Sequence, residues 1–428
     1  MSEQISSENE SKIGFFIENN SRIKLILPKF LQKATSTREV NEIVQFYNVL
    51  KKYQKENNFQ LTIQEEGFFN TSREGFYQQN KYEFSVIELY FSLIEDYIEN
   101  GLLFFRKRNI NNKPKGSINW NKTIQSSAEI ISSNTILYRE FYFNNIKNNI
   151  EHPVTLLHVL TLLKISSTLN IKINLPIELT YLKKSKTNQD IRLIRTLLKK
   201  YKGEMFSDRE RKIFSILEQL YLEVNKIRFI TKNGPHLVYA EKFDFIWERM
   251  LKVALFDEYY NLKKEIPNGK YQLIENEDAE PTIFNGMAPR PDILIREQYS
   301  SNDYLLILDA KNYVPDYINK KGMPGTKDII KQIFYKFLFS RQFNINNKYS
   351  CENIVNAFLF PTVLDDGSII KFMGKHRFDD PFYNKNSIGN ILCFKVDFNE
   401  LRKHYLYPNR KYKEQITKYI LTTFVNLE

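Results

Sequence analysis

Cysteine is almost absent from this chain of 428 residues. The two present, Cys351 and Cys393, lie far apart in apolar surroundings, which speaks against a disulfide framework or a zinc site and predicts buried free thiols in a reducing compartment. The five histidines, His152, His158, His236, His376 and His404, show no metal-ligand spacing. Hydrophobic residues make up 42% of the chain, yet no run of eighteen apolar positions occurs, so no membrane partner is expected. The opening MSEQISSENESK lacks the basic and then apolar pattern of a secretory signal, and a cytoplasmic location is expected. G-x-x-x-x-G-K-[ST], G-x-G-x-x-G and G-x-S-x-G are all missing, which speaks against nucleotide binding by this chain and against a hydroxyl nucleophile. No internal repeat of fixed period is visible.

Positive charge is what the chain has in excess. A formal net charge of +12 implies an acidic partner, most commonly nucleic acid. Richness in Asn, Ile, Lys and Tyr also follows from an AT-rich genome, so clustering has to separate the two explanations. Lys183, Lys184, Lys186, Arg192, Arg195, Lys199, Lys200, Lys202, Arg209, Arg211 and Lys212 crowd into one short region, as on a phosphate-contacting surface or a solvated helix face. Arg192, Arg195, Lys199 and Lys200 are the DNA-binding candidates there. Further upstream, Leu102–Arg106 reads as a strand, Asn111–Gly116 as a turn and Ser117–Ile124 as a return strand. The result is a basic β-hairpin that presents Trp120, Lys122 and Thr123.

Helices are predicted over Arg38–Tyr53 and Glu83–Asn100, the second stopped by Gly101. Residues 128–235 read as all-helical, through TLLHVLTLLK, DIRLIRTLLKKY and RKIFSILEQLYLEVNKI. Such helix pairs suit either a helix-turn-helix reader or a packing scaffold. A boundary near residue 240 separates an N-terminal region for DNA recognition or partner docking (1–240, divisible at about 127/128) from a catalytic domain (241–428).

The catalytic expectation rests on Ala288 to Lys311, APRPDILIREQYSSNDYLLILDAK, two short apolar runs joined by a polar turn and therefore a β-hairpin. Asp292 opens its first strand; Asp309 and Lys311 close the second and share a face, because strand side chains alternate. Two carboxylates and an ammonium on a sheet edge are costly to bury unless they are paired or hold a cation, and a divalent metal meets that need. Mg²⁺ suits oxygen ligands of this kind, with Mn²⁺ able to substitute. Upstream, Phe243–Phe256 has helical apolar spacing and carries Glu248. Downstream, Asp328 is read as the cap of a helix with Ile329, Ile330, Ile333, Phe334, Phe337 and Leu338 as its apolar stripe. Lys331, Gln332 and Tyr335 fall on or beside its polar side. Three further strands and a helix over Lys413–Val425 complete the chain.

Pro291-Asp292 followed by Asp309-x-Lys311 resembles the core motif of the PD-(D/E)xK nuclease superfamily. The phrases ILPKF, IEDYIENGLLFF, GSINWNKTI, FIWERML, ILDAKNY and PGTKDIIKQIFY, spread over residues 26–335, narrow this to a resemblance to LlaJI-family restriction endonucleases, relatives of McrC-like restriction components. The resemblance implies an α/β (α+β) protein with a C-terminal restriction-endonuclease-like core, a mixed sheet flanked by helices, behind a mainly helical N-terminal region. It implies hydrolysis of DNA phosphodiesters with Mg²⁺ held by Asp292, Asp309, the Ala310 carbonyl and Glu248, and with Lys311 stabilising developing charge. Gln332 would steady the attacking water, and Lys331 would face the DNA. The implied partners are double-stranded DNA, an McrB-like NTPase, a cognate DNA methyltransferase and a second copy of the chain. Asn312 stands where the family often has Tyr. The rival reading is a non-catalytic DNA-binding or assembly subunit.

Overall fold

Contacts divide the chain into two compact units that do not follow sequence order. The computed structural model describes residues 13–17, 23–31, 38–60, 86–132, 135–176, 179, 191–222, 238–240, 243–263, 266, 268–273, 282–286, 288–313, 315–316, 319, 322–344, 351–376 and 390–427. One unit gathers residues 1–18, 23–73 and 237–428, the other 19–22 and 74–236. The expected break at 240 places the first 73 residues in the N-terminal region, whereas the described ones among them, 13–17, 23–31 and 38–60, fall in the unit that holds residues 237–428. Side-chain ties explain why. The helix Val40–Gln60 buries Ile43, Phe46, Val49 and Leu50, and its Glu56 accepts from Arg249 Nε at 2.8 Å and from the Tyr405 hydroxyl at 3.1 Å.

The unit built on residues 74–236 begins its described part with α1 (Val86–Asn100), which stops at Gly101, in the left-handed region at φ 71°. β1 (Phe105–Asn111), β2 (Ser117–Ile118), α2 (Trp120–Ser126) and β3 (Phe143–Asn149) follow. Both β1 and β2 pair antiparallel with β3, which lies between them, so the expected hairpin of adjacent strands is corrected. The return strand is also corrected: after two residues it gives way to helix α2, because the Asn119 side chain accepts from the Lys122 N–H at 2.9 Å and caps it. Trp120 and Lys122 are therefore helical. The all-helical expectation for 128–235 is corrected as well, by β3 and by the antiparallel pair Glu129–Ser132 and Thr135–Tyr138. Helices α3 (Pro153–Leu169), α4 (Ile191–Tyr201) and α5 (Asp208–Leu222) do form from the apolar runs read there. Arg209 on α5 grips the buried Asp96 of α1 at 3.0 Å and the Gly101 carbonyl at 2.6 Å. Lys183, Lys184, Lys186 and His236 lie outside the described residues.

The other unit carries α6 (Phe243–Ala254), β4 (Ile293–Tyr299), β5 (Asn302–Ala310), α7 (Thr326–Asn344), β6 (Ile354–Thr362), β7 (Ile370–His376), β8 (Ile391–Asp397), α8 (Phe398–Leu406) and α9 (Arg410–Leu427). Its five strands lie in the order β4-β5-β6-β8-β7. The β5-β6 and β6-β8 pairs are parallel; β4-β5 and β7-β8 are antiparallel. This is the mixed sheet flanked by helices that was expected. The β4-β5 hairpin turns through Ser300 and Ser301, both at positive φ (49° and 69°), a two-residue turn whose twist matches its strands. One core cluster joins Leu294, Leu305 and Ile307 to Tyr335 and Phe339 of α7; a second joins Ile329 to Phe358, Phe360, Ile391 and the buried Cys393. Among the described residues no helix is long and apolar enough to cross a membrane.

Candidate active site

Backbone ties bring the ends of four elements together. Asp292 sits immediately before β4, and its Oδ2 accepts from the Ala310 N–H at the end of β5, 2.9 Å away. The Leu359 carbonyl of β6 accepts both the Lys311 N–H, at 3.0 Å, and the indole N–H of buried Trp247, at 3.2 Å. That second bond fixes α6, and with it Glu248, beside the hairpin. Asp257 holds the start of β4 through the Leu294 N–H at 2.9 Å, and the Tyr335 hydroxyl of α7 donates to the Arg290 carbonyl at 3.0 Å.

The side chains form a row of alternating charge. Lys331 Nζ lies 3.5 Å from Asp292 Oδ1 and 3.2 Å from Asp309 Oδ1. Lys311 Nζ lies 2.7 Å from Asp309 Oδ2 and 2.7 Å from Asp328 Oδ1. At the other end Glu248 pairs with Lys252 one turn along α6. Asp309 is fully buried, and its carboxyl pKa is pushed up by burial and then by the charge of Asp292. Burial also raises Asp292, with Glu248 the next cause. Burial pulls Lys311 down, but Asp309 and Asp328 outweigh it and the net shift is upward. Lys331 moves up in the same way, through Asp292 and Asp309.

The donor set fits a hydrated divalent cation. No group of three His, Cys, Asp or Glu side chains able to hold a metal occurs among the described residues, so a binding site here rests on the Asp292 and Asp309 carboxylates. Mg²⁺ usually takes one or two carboxylates and completes its shell with water. Both side-chain polar atoms of Gln332 are buried without a hydrogen-bond partner among the described residues, whereas Asp309 Oδ2 is held by Lys311. An unmade buried hydrogen bond costs about 1–3 kcal/mol, which favours a site that acquires further polar ligands.

The structure brings Asp292, Asp309, Lys311 and Lys331 together, with Glu248 close enough to act on Asp292 electrostatically. Helix α7 departs from its sequence reading. It starts at Thr326, so Asp328 lies in the first turn and holds Lys311 instead of capping. Gln332, Tyr335, Lys336 and Ser340 are buried, whereas Ile330, Phe334 and Phe337 are exposed. Ile329, Ile333 and Leu338 of the expected stripe do pack against the core, so the helix is turned by part of a face, which brings Asp328 and Lys331 to the sheet-edge charges. Trp120, Lys122, Arg192, Arg195, Lys199 and Lys200 belong to the other compact unit. Sequence reasoning missed the anchoring roles of Trp247, Asp257 and Asp328. Only the nearness of Asp328 to the Lys311 loop hinted at one of them.

Fold and site together define a mixed α/β protein with a buried carboxylate and lysine centre at one end of a five-stranded sheet. The chain belongs to the LlaJI restriction endonuclease family, whose model matches residues 13–388. It is 25% identical over 276 residues to the Type II restriction enzyme BsuMI component YdjA of Bacillus subtilis (strain 168), a match covering 62% of this chain and 55% of that relative's length. Among solved structures it is similar to a half-complex of Thermococcus gammatolerans McrB AAA+ hexamers with bound McrC, at 11% identity and a TM-score of 0.27 over 92% of this chain and 81% of that one. A likeness that weak carries no argument.

Proposed function

We propose that the protein is the DNA-cleaving subunit of a restriction-modification system and hydrolyses phosphodiester bonds of double-stranded DNA with Mg²⁺. The observation that carries this reading is the convergence of Asp292, Asp309 and Lys311 at one sheet end, in a chain of a restriction endonuclease family. When bound, the metal supplies Lewis acidity toward the phosphate and an activated water. Asp292 and Asp309 would hold the ion, joined by the Ala310 carbonyl, with Glu248, paired to Lys252 in this structure, reaching it through water. Lys311, aimed by Asp328, stabilises charge that develops on the phosphate, a role suited to a compact ammonium. Gln332 orients the attacking water. Trp120, Lys122, Arg192, Arg195, Lys199 and Lys200 contact DNA, and the N-terminal region reads the site or docks a partner. The curated relative is named as a component of a restriction enzyme, which supports work within a multi-subunit complex; the partners in this reading are an McrB-like NTPase, a methyltransferase or a second copy of the chain.

Purified protein with Mg²⁺ and a mixed plasmid library tests this, with and without nucleoside triphosphate and the neighbouring gene products. Asp309→Ala and Lys311→Ala should each lower cleavage by about 10²-fold or more while DNA binding persists. Near-normal cleavage by either variant defeats the assignment, and no cleavage by the wild type under any condition favours a non-catalytic assembly subunit.

A further inference from the structure

Strands β1 and β3 carry a concentration of positive charge that no part of the proposed reaction uses. Lys107 on β1 stands directly opposite Lys147 on β3 in the antiparallel register, and directly opposed side chains share one face about 5 Å apart at Cβ. Arg106 and Arg108 flank Lys107 on the other face. All four are exposed, and none forms an ion pair with a carboxylate among the described residues. Elsewhere in this unit cations do find acids: Arg209 with Asp96, Lys202 with Glu218, Arg211 with Asp208. Like charges directly opposed across strands destabilise a sheet. Their retention in a small, solvated sheet asks for an external anion.

We propose that this face of β1 and β3 is a contact surface for the phosphate backbone of duplex DNA. The inference rests on the nuclease reading and extends it to a binding surface in the other compact unit. Charge complementarity selects the occupant: a polyanion neutralises Lys107 and Lys147 together, whereas a single carboxylate neutralises only one of them. Asn109, exposed two residues along β1 and on the same face as Lys107, adds an amide donor suited to phosphate and sugar oxygens. The surface continues toward α2, because β2 and the Asn119 cap are bonded to the far end of β3. Half-exposed Trp120, in edge contact with Tyr138 and Phe141, stands at that end. Contacts of this kind set affinity and register, not sequence choice.

Lys147→Glu in the full chain tests the proposal, because it removes one cation and places a carboxylate opposite Lys107. The melting temperature should hold or rise as repulsion becomes attraction. Affinity for a labelled random duplex should fall about tenfold at 0.15 M salt, and the slope of log K against log salt should flatten by about two, one for each cation withdrawn from phosphate. Lys107→Glu should behave alike. A folded variant with wild-type affinity and slope overturns the inference, and if wild-type cleavage is present it leaves the nuclease reading standing; the occupant is then an acidic partner surface. Wild-type protein that neither binds nor cleaves DNA at any salt overturns both.

Discussion

Lys331 Nζ lies 3.2 Å from Asp309 Oδ1, and the same ammonium reaches Asp292. A protein cation thus stands where the two carboxylates converge, the position the proposed divalent ion would take. Burying both carboxylates unpaired costs several kcal/mol per ion, and Lys331 offsets that cost.

Replacing Lys331 with Met should therefore bind metal more tightly and fold less stably without it. Free Mn²⁺ counted by electron paramagnetic resonance should show an affinity gain of about tenfold or more, since an opposed unit charge near 4 Å carries a few kcal/mol at a partly buried site. The melting temperature should fall in chelator and recover with Mn²⁺. An unchanged or weaker Mn²⁺ affinity would mean that Lys331 does not compete for the position.

Trp247→Phe keeps an aromatic side chain but removes the bond to the Leu359 carbonyl, which also holds the Lys311 N–H, and leaves a gap in a fully buried site. Denaturant unfolding should show a loss of about 2–4 kcal/mol, the lost hydrogen bond together with the cavity. Cleavage should fall through kcat with KM little changed, because the substitution loosens the placement of Glu248 and Lys311 without touching a DNA contact. A stability loss with unaltered kcat would reduce Trp247 to a packing role.

A fragment beginning at residue 241 lacks the helix Val40–Gln60 and the Phe30 ring, which packs 5.7 Å from Phe243 and 5.2 Å from Phe398. It should expose an apolar face, aggregate when expressed alone, and become soluble when co-expressed with residues 1–73. Circular dichroism and gel filtration of the two preparations decide the matter. A folded, monomeric fragment would show that the N-terminal helix is dispensable.

His158 is buried in the second unit, its Nδ1 accepts from the Leu103 N–H, and burial lowers its pKa to about 4. A histidine depressed on folding contributes stability that is complete above its unfolded value near 6.5 and is lost as pH falls toward 4. The unfolding free energy should drop by roughly 3 kcal/mol across that window. His158→Gln, which cannot titrate, should be less stable at neutral pH but should lose most of this dependence; an unchanged acid slope would point to another group.

The β4-β5 hairpin, Asp292, Asp309 and Lys311 were legible in the sequence because their relations are local: period-two alternation, a polar turn and an acidic-x-Lys spacing act within twenty residues. Apolar periodicity also placed α6 and the helices of the second unit. The same rule held for only half of the α7 stripe: Ile329, Ile333 and Leu338 meet the core, whereas Ile330, Phe334 and Phe337 are exposed and buried Gln332 and Tyr335 take the inner face. It failed at Asn119, whose side-chain cap converted a short strand into a helix. Such outcomes depend on partners that local spacing does not reveal.

What the sequence by itself determined was the class of the chain, its excess of positive charge, its central hairpin and the three residues on which the proposed chemistry turns. Only the tertiary structure decided that residues near the N-terminus complete the C-terminal unit, that β3 separates two strands read as neighbours, and that Lys331 stands between Asp292 and Asp309. The physical reason is range. Strand and helix periodicities are properties of neighbouring residues, whereas the tie of Glu56 to Arg249 and the opposition of Lys107 to Lys147 join positions far apart in the chain. They exist only once burial and pairing have brought those positions together.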